Sequence, residues 1–125
     1  MLSAYGERSG LDRETALKLG AAFGSGMGMG ETCGAVTGAL MVVGLVQSRG
    51  KAPGMFSREK AADAAREFVD QFKARNGSTI CRELLGCDVG TPEGLKTAKT
   101  EKHFKKRCPK FVADAVDILN RMAGA

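Results

Sequence analysis

Tryptophan is absent from this chain, tyrosine and histidine occur once each, and six phenylalanines supply the rest of the aromatic surface. The core must therefore be filled by aliphatic residues, Met, Ala and those Phe rings. No apolar run is long enough for a bilayer. The longest, from Ala35 to Val46, is interrupted by Thr37, Gly38 and Gly44 and falls short of the roughly 20 residues a spanning helix needs. No basic segment followed by an apolar one opens the chain, so no secretory signal is visible. These absences point to the cytoplasm, where four cysteines serve as thiols, metal ligands or redox centres more readily than as structural disulfides. No Cys-x-x-Cys pair exists, which removes support for zinc-ribbon and thioredoxin-type readings. There is no strand pattern of useful length, no internal repeat and no second domain.

The chain's 125 residues, 43% of them hydrophobic, suffice for one domain with a real core. The net charge of +5 permits an acidic partner, an anionic small molecule or nucleic acid. Helical spacing predicts an all-α domain of about five or six helices spanning residues 1–125. Met1 to Arg8 reads as a short helical end stopped at Gly10. Asp12 caps a second helix with Glu14 in its first turn; Ala16, Leu17, Leu19, Gly20 and Phe23 form its apolar side and Gly24 ends it. Thr32 caps a third helix running to about Gln47. That helix is apolar nearly all round, through Val36, Leu40, Met41, Val43 and Leu45, so it should be central and buried, with Gly34, Gly38 and Gly44 giving a smooth face. After a polar loop containing Pro53 and Gly54, Ser57 caps a fourth helix. It carries Ala61, Ala65, Phe68 and Phe72 at helical spacing and stops at Gly77. Ser78 opens a short fifth helix that Gly86 stops. Residues 87–107 read as irregular or as one short helix from Thr91-Pro92. The last helix begins at Pro109, with Phe111, Val112, Ala115, Val116, Leu119 and Met122 as its inner stripe.

The seventeen glycines concentrate between Phe23 and Gly38. Gly24, Gly26, Gly28 and Gly30 alternate with Ser25, Met27 and Met29, a pattern that lets backbone come very close to another group. The stretch follows a helix, not a strand, and lacks a Gly-Lys-Ser/Thr ending, so it is not a phosphate loop. Gly28, Gly30 and Gly34 are instead the candidates for backbone contact with a cofactor at a cysteine site. Cys33, Cys81 and Cys108 each fall at a predicted helix start. Amide groups and the positive dipole end favour thiolate there, and the thiolate is the form that binds metal or attacks disulfides. Arg82 and Arg107 adjoin two of them and add to that effect, while Cys33 at the central helix is expected to be the most reactive.

The segments GMGMGETCGAVTGALMVVGL at 26–45, CRELLGCD at 81–88 and RCPKFVADAVDIL at 107–119 resemble the C-GCAxxG-C-C family, whose members are described as redox-active. Cys33-Gly34-Ala35-Val36-Thr37-Gly38 is similar to its central box, in the TCGAxxG form, and Cys81 and Cys108 match the two later cysteines. The resemblance implies an all-α fold and a cysteine centre that carries metal or cycles as a disulfide. A similar module occurs in some multihaem cytochromes, which points to electron transfer and an iron–sulfur cluster. The family's first cysteine lies just ahead of the segment matching Met1 to Tyr5. The resemblance therefore predicts residues upstream of Met1, including that cysteine; Cys87, outside the family pattern, is the candidate to replace it.

Two functions follow. In the first, Cys33, Cys81 and Cys108 converge as a redox centre. They either hold an iron–sulfur cluster or another metal, with Cys87 or an upstream cysteine as fourth ligand, or cycle between dithiol and disulfide without a cofactor. In the second, the chain is a non-catalytic helical interaction module, dimeric through its Gly-rich surface or its basic face. Met27 and Met29 read as gap fillers ahead of soft ligands. His103, amid Lys102, Lys105, Lys106 and Arg107, reads as solvated. The basic run from Lys96 to Lys110 offers only Phe104 for stacking and no reading motif, so sequence-specific nucleic-acid binding is not expected. A solvated face or a dock for an acidic redox partner is.

Overall fold

The computed structural model describes residues 1–52, 54–55 and 57–122; Pro53 of the predicted loop lies outside them. Among the described residues all regular structure is helical apart from one isolated antiparallel bridge, Thr32 with Ile80. No helix among them is long and apolar enough to cross a membrane. The helices are α1 Leu2–Tyr5, α2 Arg13–Gly20, α3 Gly34–Gln47, α4 Arg58–Asn76, α5 Cys81–Leu85, α6 Pro92–Thr100, α7 His103–Lys106 and α8 Cys108–Met122.

Helix α3 is the centre, as its pattern predicts. Ala35, Val36, Ala39, Val42 and Val43 are buried, and no residue from 35 to 48 is exposed. Its small side chains let α4 and α8 close on it from two sides. The scarce aromatics are used there: Phe68 and Phe72 of α4 stack at 6.0 Å between ring centroids. Phe72 meets Phe111 of α8 at 6.4 Å. Both α4 rings are fully buried, each worth roughly 1.5–3 kcal/mol of hydrophobic transfer. Ion pairs seal the α4–α8 seam at the surface, Arg75 to Asp117 at 2.7 Å among them.

Local signals set most boundaries. Asp12 accepts the Thr15 N–H at 3.1 Å and Ser57 accepts that of Lys60 at 3.2 Å, each capping its helix. Gly10, Gly77 and Gly86 end elements with left-handed backbone. Four expectations are corrected. Only Ala16 of α2 is buried, while Leu17 and Leu19 are more than half exposed. Helix α2 packs on α1 instead of the central core. In α8, Val112 is turned outward and Ile118 inward, because the buried stripe follows Phe111, Ala115, Ile118 and Leu119 at spacings of 4, 3 and 1. Residues 87–107 carry both α6 and α7. His103 is buried, not solvated, with Nε2 2.9 Å from Oε2 of Glu101.

Candidate functional site

The site grows from a two-segment ribbon. The Cys33 N–H donates to the Thr79 carbonyl at 2.8 Å and the Cys81 N–H donates to the Glu31 carbonyl at 2.6 Å, on either side of the Thr32–Ile80 bridge. With two-residue alternation, Cys33 and Cys81 stand on the same face of the ribbon as diagonal neighbours. Each segment then turns into a helix. The pairing holds Thr32 extended, so Cys33, not Thr32, is the N-cap of α3. Likewise α5 starts at Cys81, with Ile80 as N-cap, while the Ser78 hydroxyl accepts the Ile80 N–H at 2.9 Å just ahead of it. Cys108 is the first residue of α8, one position before the predicted start.

All four cysteines are free thiols. Cys81 is buried in the core, and Cys33, Cys87 and Cys108 pack against the same cluster. They lie close enough to feel one another's charge. Burial pushes the Cys81 thiol up to about 11, helped by negative charge on Cys33, then Cys108, Cys87 and Asp88. Burial also raises Cys108, with Cys33 adding to it. Burial raises Cys33 too, opposed by the backbone N–H groups of Ala35 and Val36. The expectation of depressed thiols is thus overturned for these three: desolvation exceeds what helix-start amides return. The five-residue α5 has little dipole to offer Cys81. The two arginines are spent elsewhere. Arg82 reaches the Gly30 carbonyl at 3.3 Å and the Glu31 carboxylate at 2.9 Å. Arg107 donates to the Leu85 carbonyl at 3.2 Å, closing the end of α5 and tying it to the start of α8. The help they could give Cys81 and Cys108 is removed with them; at Cys33 the Ala35 and Val36 amides still favour the thiolate, but burial outweighs them.

The Gly-rich stretch is a left-handed loop. Ser25, Gly26, Met27 and Gly28 have φ of 54°, 60°, 61° and 71°, and the Glu31 N–H closes it onto the Gly26 carbonyl at 3.1 Å. Of the glycines, Gly26 is the one pressed on the site: a Cβ there would lie 2.9 Å from the Cys81 Cβ and run into the Glu31 backbone. The residues singled out from sequence behave differently. Gly28 faces open space. Gly30 abuts Asp88, where a Cβ would come within 2.7 Å of Oδ1. Gly34 approaches the Phe23 carbonyl, a helix-packing contact. Met27 is half-buried and Met29 is exposed. Gly26 and the Thr79-Ile80 segment are the parts that sequence reasoning missed. The β-branched residues directly ahead of Cys33 and Cys81 were the available signal.

The soft donors available to a metal are Cys33, Cys81, Cys108 and Cys87. Among the described residues no three His, Cys, Asp or Glu side chains gather where they could hold one ion. The donor set, as the side chains stand, therefore does not fit a metal; what it offers directly is thiol chemistry. No curated protein and no solved structure matches the chain. A family model described as "Putative redox-active protein (C_GCAxxG_C_C)" does match, over residues 1–122, and the chain belongs to that family.

Proposed function

We propose that this protein is a thiol redox carrier in which Cys33 and Cys81 cycle between dithiol and disulfide. The observation that carries the reading is their placement as diagonal neighbours on one face of the 31–33/79–81 ribbon. Such neighbours stand about 7–8 Å apart, and a disulfide spans roughly 4.4–6.8 Å between Cα atoms, so a small inward shift makes the bond. The raised thiols agree with it. A dry site disfavours charge, and dithiol and disulfide are both neutral. Oxidation removes two electrons and two protons together, and a partner disulfide accepts them to become a dithiol. Within the pair, Cys33 is the attacking thiol, because the Ala35 and Val36 amides favour its ionised form. Cys108, coupled to Cys33, and half-buried Cys87 are further thiols to which the oxidising equivalents can pass.

A metal-bearing centre is the second reading, favoured by the way the other three thiols act on Cys81; it requires the side chains to rotate together. The partner we propose is acidic. Lys96, Lys99, Lys102, Lys105 and Lys106 are exposed on α6, α7 and the turn between them, and among the described residues none of them is ion-paired. A reducing compartment such as the cytoplasm suits the resting dithiol.

A redox titration of anaerobically purified protein tests the reading. It predicts a two-electron couple whose midpoint falls by about 59 mV per pH unit, the slope for equal numbers of electrons and protons. Iron and sulfide in the purified protein, with a one-electron optical change, would move the function to the metal-bearing centre. A thiol count unchanged at every potential would leave the helical interaction module.

A further inference from the structure

At the other end of α3 two recesses share a rim. One, about 210 Å³, is lined by Val42, Val43, Val46 and Leu119 with Tyr5 at its side. The other, about 410 Å³, is bordered by Arg8, Ser9, Ser48, Arg49 and Lys51. Arg8 and Arg49 border both. At 1.5 Å per residue along α3, the polar recess lies about 20 Å from Cys33.

The polar recess is short of negative charge. Among the described residues, Arg8, Arg49 and Lys51 form no ion pair. The nearby end of α3 carries about half a negative charge, and two of its last four carbonyls already have donors: Ser48 serves Gly44, and the Arg49 N–H serves Val46. Three cations exceed what that end needs. The Ser9 hydroxyl, at the border of the same recess, is shielded from solvent and has no hydrogen-bond partner among the described residues.

We infer that the paired recesses bind a small amphipathic oxyanion, of the phosphate-monoester class. Its head sits among Arg8, Arg49 and Lys51, and its short apolar body lies over Val42, Val46 and Leu119. Binding is non-covalent and does not depend on the thiol reading.

Tyr5 is the only tyrosine and there is no tryptophan, so intrinsic emission reports on the apolar recess directly. Titrating the reduced full chain with hexyl phosphate should give a saturable change in that emission and broadening of the phosphorus resonance. Inorganic phosphate alone and hexanol alone should each bind at least about tenfold more weakly. The exposed pair Arg8→Gln/Arg49→Gln should weaken hexyl phosphate by about tenfold or more, with the far-ultraviolet circular dichroism unchanged. Vesicles of anionic phospholipid assign the source of the head: co-sedimentation lost in the double variant assigns it to a lipid, and its absence to a free ester. The inference is overturned if neither emission nor the phosphorus signal responds. It is equally overturned if the double variant binds as well as the natural sequence, or if inorganic phosphate matches hexyl phosphate.

Discussion

The two ends of α3 treat charge in opposite ways. At Cys33 the chain is folded so tightly that a glycine without its hydrogen replaced by carbon is needed beside Cys81, and burial keeps the thiols protonated. At Gln47 the helix opens onto recesses rimmed by exposed cations. The same helix thus has one end where desolvation decides the chemistry and one where water-exposed Coulomb attraction does. Its dipole, which favours anions at Cys33, is outweighed there by packing.

The largest expected break in this contrast lies within the glycine loop. Gly26→Ala puts a Cβ into the Glu31 backbone and against Cys81 at φ 60°, and should cost about 3 kcal/mol or more. Gly28→Ala has a similar φ but nothing within 4 Å, so only the backbone term of about 1–2 kcal/mol remains. Urea denaturation of both variants measures the difference; equal losses would mean that the loop does not press on the site.

The next effect is alkaline. Cys81 is raised in the fold from an ordinary 9.0 to about 11, so the folded state holds its proton more tightly than the unfolded chain. Its contribution to stability is complete below pH 9, declines as pH rises, and is gone above about 11. The size is about 2–3 kcal/mol at most. Denaturation curves across that window should fall more steeply for the natural sequence than for Cys81→Ala, and parallel curves would argue against a buried neutral thiol. Smaller still is Arg107→Ala. It removes the donor from the carbonyls that end α5 and should cost about 1 kcal/mol, read as a shift in the urea midpoint. At the open end, Arg49→Gln should change stability by less than about 0.5 kcal/mol. A larger loss there would show that the cation supports the fold and would weaken the contrast.

Much of the fold was legible because its signals are local. The caps at Asp12 and Ser57, the stop at Gly77 and the all-round apolar pattern of α3 each act within a few residues. The errors arise where distant packing decides. Nothing near Leu17 or Leu19 tells that α2 rests on α1 and leaves them outside. The choice between Val112 and Ile118 depends on where α3 and α4 lie, and His103 is buried among lysines because α7 packs against α6 and α8. In the site, Cys33, Cys81 and Cys108 were identifiable as helix starts. The ribbon that brings the first two together joins segments 48 residues apart in sequence. The protonation of the thiols follows from burial, which helix position alone does not reveal.

Disulfide mapping decides whether Cys33 and Cys81 form the redox pair. The reduced protein is oxidised stoichiometrically, its remaining thiols are alkylated, and the cross-linked peptides are identified by mass. The account predicts a Cys33–Cys81 link that dithiothreitol reverses, with Cys87 alkylated. A Cys81–Cys87 link, or alkylation of both Cys33 and Cys81 after full oxidation, would contradict it.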